Sequence, residues 1–132
     1  MADEGTRSVE INITNMTSGD FTVQGVSTSG SGVAWIKGEE ATQGQSIPLY
    51  QAVKFGIMTD DYNASISAQL TLTGVGDPVV ITFAIDNQGN ASCTVPSTRG
   101  TAMQVQTGER DHAEYNVTLN AVMASSRQLE KA

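Results

Sequence analysis

Apolar and polar residues alternate along several short stretches of the chain, the pattern of half-buried β-strands. The longest such stretch, residues 63–73, places Ile, Ala and Leu on one face and Ser, Thr and Gln on the other. Its polar face carries almost no charge and no group that titrates near neutral pH. A neutral surface of this kind is better suited to binding than to acid–base catalysis.

Nine segments with strand-like patterns are separated by turns rich in Gly, Asn, Asp and Ser. They are residues 8–15, 21–26, 33–37, 50–58, 63–73, 79–85, 91–95, 101–107 and 115–121. A kink is expected at Gly25, and residues 87–90 have hairpin-turn composition. Residues 27–32 predict an exposed, flexible loop, and residues 38–46 a second polar loop. Together these short strands predict an all-β fold, a single-domain antiparallel β-sandwich.

The chain length and the absence of long apolar segments limit the possible domain organisation. A chain of 132 residues can form one domain with a real core. We expect the sandwich to cover residues 8–122, after a polar leader at 1–7 and before a fraying tail at 123–132. No signal peptide or membrane span is recognisable, which predicts a soluble protein. One cysteine excludes an intrachain disulfide.

The charge balance argues against a nucleic-acid partner. Seven Lys and Arg residues face fourteen Asp and Glu residues, and the net charge is −7. The basic residues are scattered, whereas nucleic-acid binding requires a basic surface that displaces phosphate counterions. Charged residues make up only 16% of the chain, so the surface must be polar mainly through neutral side chains.

Catalytic residues are not recognisable in the sequence, and no cofactor is expected. The single histidine, His112, would need Cys93 or a serine beside it and an orienting carboxylate such as Asp111 or Asp86. We interpret His112 instead as an exposed turn residue and Cys93 as a small buried thiol.

Metal binding is also not expected. One Cys and one His cannot supply the ligands of a structural zinc site. The acidic pairs Asp60-Asp61 and Glu39-Glu40 lack the alternating spacing of a calcium loop and are interpreted as solvated turn residues.

Six of the seven aromatic residues divide into core and candidate contact positions. Those on apolar strand faces are predicted to lie in the core: Phe21, Phe83 and Tyr115. The candidate membrane- or ligand-contact residues are Trp35, Tyr62 and Tyr50, because Trp and Tyr combine an apolar ring with a polar atom. For Trp35, however, a position at the edge of the core is the favoured single interpretation.

Several short motifs resemble the aegerolysin family. Residues 8–19 resemble its first strand and Asn-containing turn, and Trp35 follows a glycine-rich loop with Gly30 and Gly32. The motif at residues 56–59, Gly-Ile-Met-Thr, and the Asp-Asn pair at 86–87 also fit, as does the strand at 115–119. Within the family, the chain is most similar to the small component of bacterial binary insecticidal toxins.

The resemblance implies a function as well as an aegerolysin- or actinoporin-like sandwich. It implies a non-enzymatic component of a binary pore-forming toxin, released from a bacterial cell. Such a component binds a lipid or receptor of the target-cell membrane and recruits a larger partner protein. A homo-oligomer is compatible with the low surface charge.

Three other functions stay open at the level of the sequence. A carbohydrate-binding module would use Trp35 or Tyr62 for sugar stacking and Asn and Gln side chains for hydrogen bonds. A structural or assembly subunit would also have a neutral sandwich surface. An enzyme is the least supported alternative, since His112 is the only side chain that titrates near neutrality.

Overall fold

The computed structural model describes residues 6–105 and 111–120, which form ten β-strands. The strands are β1 (Arg7–Met16), β2 (Phe21–Ser29), β3 (Ala34–Trp35), β4 (Ser46–Ile47), β5 (Ala52–Thr59), β6 (Ile66–Thr73), β7 (Val79–Ile85), β8 (Ala91–Thr94), β9 (Gly100–Val105) and β10 (His112–Asn120). The predicted leader up to residue 5 and the predicted tail lie outside the described residues. In the described part of the chain, no helix is long and apolar enough to cross a membrane.

The strands form two five-stranded sheets, which confirms the predicted all-β sandwich. Sheet A has the order β3-β5-β1-β10-β9, and sheet B has the order β4-β2-β6-β7-β8. One pair is an exception to the antiparallel arrangement, because β1 and β10 run parallel in the middle of sheet A. A parallel pair requires a crossover, and here the rest of the domain supplies that connection.

The core fills the space between the sheets and follows the alternation of the sequence. In β1, Val9, Ile11 and Ile13 are fully buried, and their neighbours in β5 and β10 are apolar residues on the same face. The predicted core aromatics Phe21, Phe83 and Tyr115 are all buried. Burial of one face of each strand fixes the register, since a slip of one residue would turn that face to solvent.

Three local features differ from the sequence-based predictions. Residues 27–29 are not a flexible loop but the end of β2, paired with β6, although the predicted kink at Gly25 is confirmed as a break in register. Strand β4 was not predicted, and it begins at Ser46, the last residue of the predicted 38–46 loop. Arg7, assigned above to the leader, is the first residue of β1 and is fully buried.

A buried arginine closes each end of the sandwich. We call the end that contains the 17–20, 47–51, 74–78 and 95–99 loops the Tyr50 end, and the end that contains the 30–33, 60–65 and 86–90 loops the Tyr62 end. At the Tyr50 end, Arg99 donates to the Val75 and Asp77 carbonyls. At the Tyr62 end, Arg7 donates to carbonyls of two loops of sheet B.

Candidate functional site

Two of the candidate contact residues, Tyr50 and Tyr62, lie at opposite ends of β1. The Tyr50 N–H donates to the Asn15 carbonyl (2.7 Å), and the Tyr62 carbonyl accepts from Arg7 Nη1 (2.7 Å). The eight residue steps between Arg7 and Asn15 span about 26 Å of strand. The two tyrosines therefore cannot form one site, and each end must be judged separately.

Tyr50 is held in an unusual backbone conformation. Its φ is +64°, and no other non-glycine residue in the described part of the chain has a positive φ. Because the Cβ atom crowds the backbone in this left-handed region, the conformation costs about 1–3 kcal/mol. A glycine would avoid that cost, so the tyrosine side chain is a candidate for a role outside folding. That side chain is 66% exposed.

Asn15 organises the loops that carry Tyr50. Its buried side chain donates to the Ile47 carbonyl (2.8 Å) and the Gly19 carbonyl (2.9 Å), and its Oδ1 accepts from the Thr17 hydroxyl and N–H. Its own N–H donates to the Gln51 carbonyl (3.0 Å). The sequence analysis missed this role of Asn15. The signal was present, since an Asn-x-Thr-x-Gly series at a strand end is typical of side-chain-supported turns.

Met16 and residues 48–50 form an exposed apolar surface at the Tyr50 end, which we call the Tyr50 tip. The Met16 side chain is 48% exposed, Pro48 is exposed and Leu49 is partly exposed. The Leu49 N–H donates to Asp20 Oδ1 (2.8 Å), which fixes the loop that presents these side chains. The tip thus combines an aromatic ring, a thioether and aliphatic groups on a pre-organised loop.

Trp35 lies at the edge of the core, the position that the sequence favours for it. It belongs to the edge strand β3 and pairs with Ile57. Its ring centroid lies 6.5 Å from that of Phe83 in the opposite sheet, in a tilted arrangement. Trp35 is only partly exposed, so most of its surface is used to close the side of the sandwich.

Tyr62 is 54% exposed, but its surroundings differ from those of Tyr50. The Arg7 guanidinium lies 4.7 Å from the centre of its ring, so one ring face takes part in a cation–π contact. Two acidic residues, Asp60 and Asp61, precede it directly. Tyr62 therefore contributes to the closure of its end and presents an acidic rather than an apolar surface.

The outer face of sheet B is a neutral surface of hydroxyl and amide groups. Two rows cross it, one of Ser29, Ser67, Ala84 and Ser92, the other of Ser27, Gln69, Thr82 and Thr94. The outer face thus extends the neutral pattern of residues 63–73 over four strands. At the Tyr62 end it leads into an open groove of about 480 Å³.

The walls of the groove combine polar side chains with apolar ones (Ile66, Ala84, Ile85 and Ala91), and one lining residue is charged. Its polar lining residues are Ser29, Ser65, Ser67, Asp86, Asn90 and Ser92. The Asp86 Oδ1 atom accepts from the N–H groups of Asn90 (2.9 Å) and Gln88 (2.8 Å). These hydrogen bonds stabilise the carboxylate and lower the pKa of Asp86. Asp86 is thus ionised at neutral pH and oriented by the β7–β8 turn.

The histidine and the cysteine lie in different sheets of the sandwich. His112 was predicted to lie in a turn, but it is the first residue of β10. Its Nδ1 lies 2.7 Å from Ser8 Oγ. Because Ser8 is completely buried, its hydroxyl cannot reach a substrate in this conformation. Cys93 is partly buried in β8, and burial raises the pKa of its thiol to about 11.

A charged cluster lies on the outer face of sheet A. Lys54 Nζ is 3.1 Å from Glu10 Oε2 and 3.6 Å from Glu114 Oε2. Although partial burial opposes the charge of Lys54, the hydrogen bond to Glu10 and the surrounding carboxylates raise its pKa.

Within residues 6–105 and 111–120, no group of three or more His, Cys, Asp or Glu side chains could hold a metal ion.

Comparison with known proteins adds no relative to this description. The sequence matches no protein-family model and no curated protein.

Proposed function

We propose that the chain is a non-enzymatic membrane-binding protein, the smaller component of a two-protein pore-forming toxin that acts on insect cells. The Tyr50 tip contacts the membrane, and a larger partner protein is recruited to the bound chain. The exposed, strained Tyr50 is the observation that supports the membrane contact. The partner and the toxic activity rest on the aegerolysin resemblance.

The composition of the Tyr50 tip supports contact with the membrane interface. Tyrosine is typical of that region, because its ring enters the apolar zone while its hydroxyl stays hydrated. Met16, Leu49 and Pro48 would be buried with it. With a net charge of −7, the chain cannot rely on attraction to anionic lipids, so the apolar contacts must supply the affinity.

Tyr50→Gly separates the membrane contact from folding. Glycine adopts the left-handed conformation freely, so we expect the free energy of unfolding to stay the same or rise. Loss of one buried aromatic side chain should weaken binding to phosphatidylcholine vesicles by about tenfold. Vesicle co-sedimentation gives the affinity, and urea denaturation gives the stability.

Tyr62→Ala is the control for Tyr50→Gly, because it removes an exposed tyrosine at the opposite end. We expect this variant to bind vesicles as the wild type does. If Tyr62→Ala loses binding and Tyr50→Gly keeps it, the proposed membrane contact at the Tyr50 end is wrong.

The two-component activity is tested separately by leakage of insect midgut vesicles with and without the product of a neighbouring gene. If no such product changed the leakage, the proposed toxin function would be wrong.

A carbohydrate-binding function is the second candidate, and the groove at the Tyr62 end favours it. Short hydroxyl side chains, an amide and an oriented carboxylate are the groups that hydrogen-bond to sugar hydroxyls. This site differs from the sugar-stacking positions considered above, because neither Trp35 nor Tyr62 lines the groove.

Asp86→Asn tests the groove with little change in its shape. Asparagine keeps an oxygen that accepts from the turn N–H groups but loses the charge. The affinity for a sugar identified on a glycan array should therefore fall by about tenfold. Asp77→Asn, in an exposed loop at the other end, should leave that affinity unchanged. Absence of saturable binding to any arrayed glycan would argue against the carbohydrate function.

A further inference from the structure

One lateral side of the sandwich is formed by neutral edge strands. Strand β8 is an edge of sheet B and β9 an edge of sheet A, and the two are consecutive in the chain. Residues 91–105 contain a single charged side chain, Arg99, which is buried and donates to two carbonyls. Among the described strands, β9 pairs only with β10.

The opposite side of the sandwich is protected in the usual ways. Its edge strands, β3 and β4, are two residues long, and Pro48 directly follows β4. The segment between them contains Lys37, Glu39 and Glu40. Short edges, proline and charges all prevent strand addition. Strand β9 has six residues, Gly-Thr-Ala-Met-Gln-Val, without a charge or a proline.

The backbone hydrogen bonds show which groups of β9 face the open edge. The Asn120 N–H donates to the Arg99 carbonyl (2.8 Å), which makes these opposed residues a hydrogen-bonded pair. Such pairs alternate along an antiparallel ladder, so Thr101 and Met103 also turn their N–H and C=O groups toward β10. The corresponding groups of Ala102 and Gln104 therefore point away from β10.

We propose that the open edge of β9 pairs with β9 of a second copy of the chain, antiparallel and centred on Met103. In this register Ala102 of each copy lies opposite Gln104 of the other, and the outward N–H and C=O groups form four backbone hydrogen bonds. The two Met103 residues form the central non-hydrogen-bonded pair, in which side chains are closest. Met103 is 73% exposed in the single chain and would be covered by its counterpart.

The neutrality of β9 makes a second copy a suitable occupant of this edge despite the net charge of the chain. A twofold axis places each residue of β9 opposite a residue of the same strand, and none of the six is charged. Two chains of net charge −7 repel each other elsewhere on their surfaces, so a neutral edge is where close approach costs least. Sheet A then continues through the axis as a ten-stranded sheet.

Cysteine cross-linking tests the register directly, in a Cys93→Ser background. Opposed residues of a non-hydrogen-bonded pair have Cα atoms about 4.5 Å apart, within the range of a disulfide. Met103→Cys should therefore give a covalent dimer under mild oxidation. Thr101→Cys is the matched control, on the same exposed face of β9. It would lie about 13 Å along the strand from its counterpart and should cross-link at least about tenfold more slowly.

Sedimentation of the reduced, wild-type chain provides an independent measurement. We expect a monomer–dimer equilibrium that Met103→Lys shifts toward monomer, with a dissociation constant raised about fivefold or more by the opposed charges. Gln69→Lys adds the same charge on β6, away from the edges, and should leave the equilibrium unchanged.

Three results would overturn the proposal. They are equal cross-linking at both positions, a monomer at all concentrations, and slow hydrogen exchange at Ala102 and Gln104 in the monomer. The last would show that another segment of the same chain covers the edge.

Discussion

Arg7→Met is expected to lower the free energy of unfolding by about 3 kcal/mol or more, a large effect for a domain of this size. Arg7 is fully buried, with Nη1 donating to the Tyr62 (2.7 Å) and Ala64 (3.2 Å) carbonyls. Its Nη2 donates to the Asn87 carbonyl (3.2 Å) and to Asp111 Oδ1 (3.1 Å). Methionine fills much of the space but leaves these acceptors without donors.

The loss of stability is measured by urea denaturation followed by Trp35 fluorescence. The transition midpoint should fall by about 1–2 M. Lys37→Met removes the same charge from an exposed loop and should change the stability by less than about 0.5 kcal/mol. A midpoint for Arg7→Met equal to that of Lys37→Met would show that the guanidinium does not hold the Tyr62 end together.

Gly30→Ala is expected to destabilise the protein by about 2–4 kcal/mol, because two costs act together. The φ of Gly30 is +119°, a conformation that a residue with a Cβ rarely adopts. A Cβ at this position would also overlap the Ser65 carbonyl oxygen and lie 2.8 Å from Ile66 Cγ2. The Ser65 carbonyl belongs to the backbone directly before β6, so it cannot move without disturbing the end of sheet B.

Gly44→Ala separates the two costs. Gly44 has a φ of +92°, but no atom lies within 4 Å of the position of an added Cβ. This variant should lose only about 1 kcal/mol, the cost of the left-handed conformation. Thermal or urea unfolding of both variants gives the difference. Equal losses would show that the contact with Ser65 does not determine the choice of glycine at position 30.

The candidate contact residues were only partly predictable from the sequence. It identified Tyr50 as a possible contact residue but grouped it with Tyr62 and Trp35. A one-dimensional pattern does not show that Tyr50 and Tyr62 are at opposite ends of β1 or that Trp35 packs on Phe83. The aegerolysin assignment and the membrane function stay predictions. The experiments on Tyr50 and on vesicle leakage address them directly.

Alternation along the chain determined the all-β fold, most of the strands and the core aromatics. These follow from the sequence because strand periodicity and burial of one face are local properties. The neutral outer face of sheet B was visible in residues 63–73 for the same reason. By contrast, the parallel pairing of β1 with β10 joins residues about a hundred positions apart and depends on the whole fold.

The tertiary structure also decided the roles of residues whose partners are distant in sequence. Arg7 looks like part of a polar leader, yet it is buried, because carbonyls from two loops and the Asp111 carboxylate accept hydrogen bonds from its two Nη atoms. Met103 lies in a weakly patterned strand, and only the sheet order shows that this strand is an edge of sheet A among the described strands. A side chain's own polarity was readable from the sequence, whereas the groups that compensate for its burial were brought together only by folding.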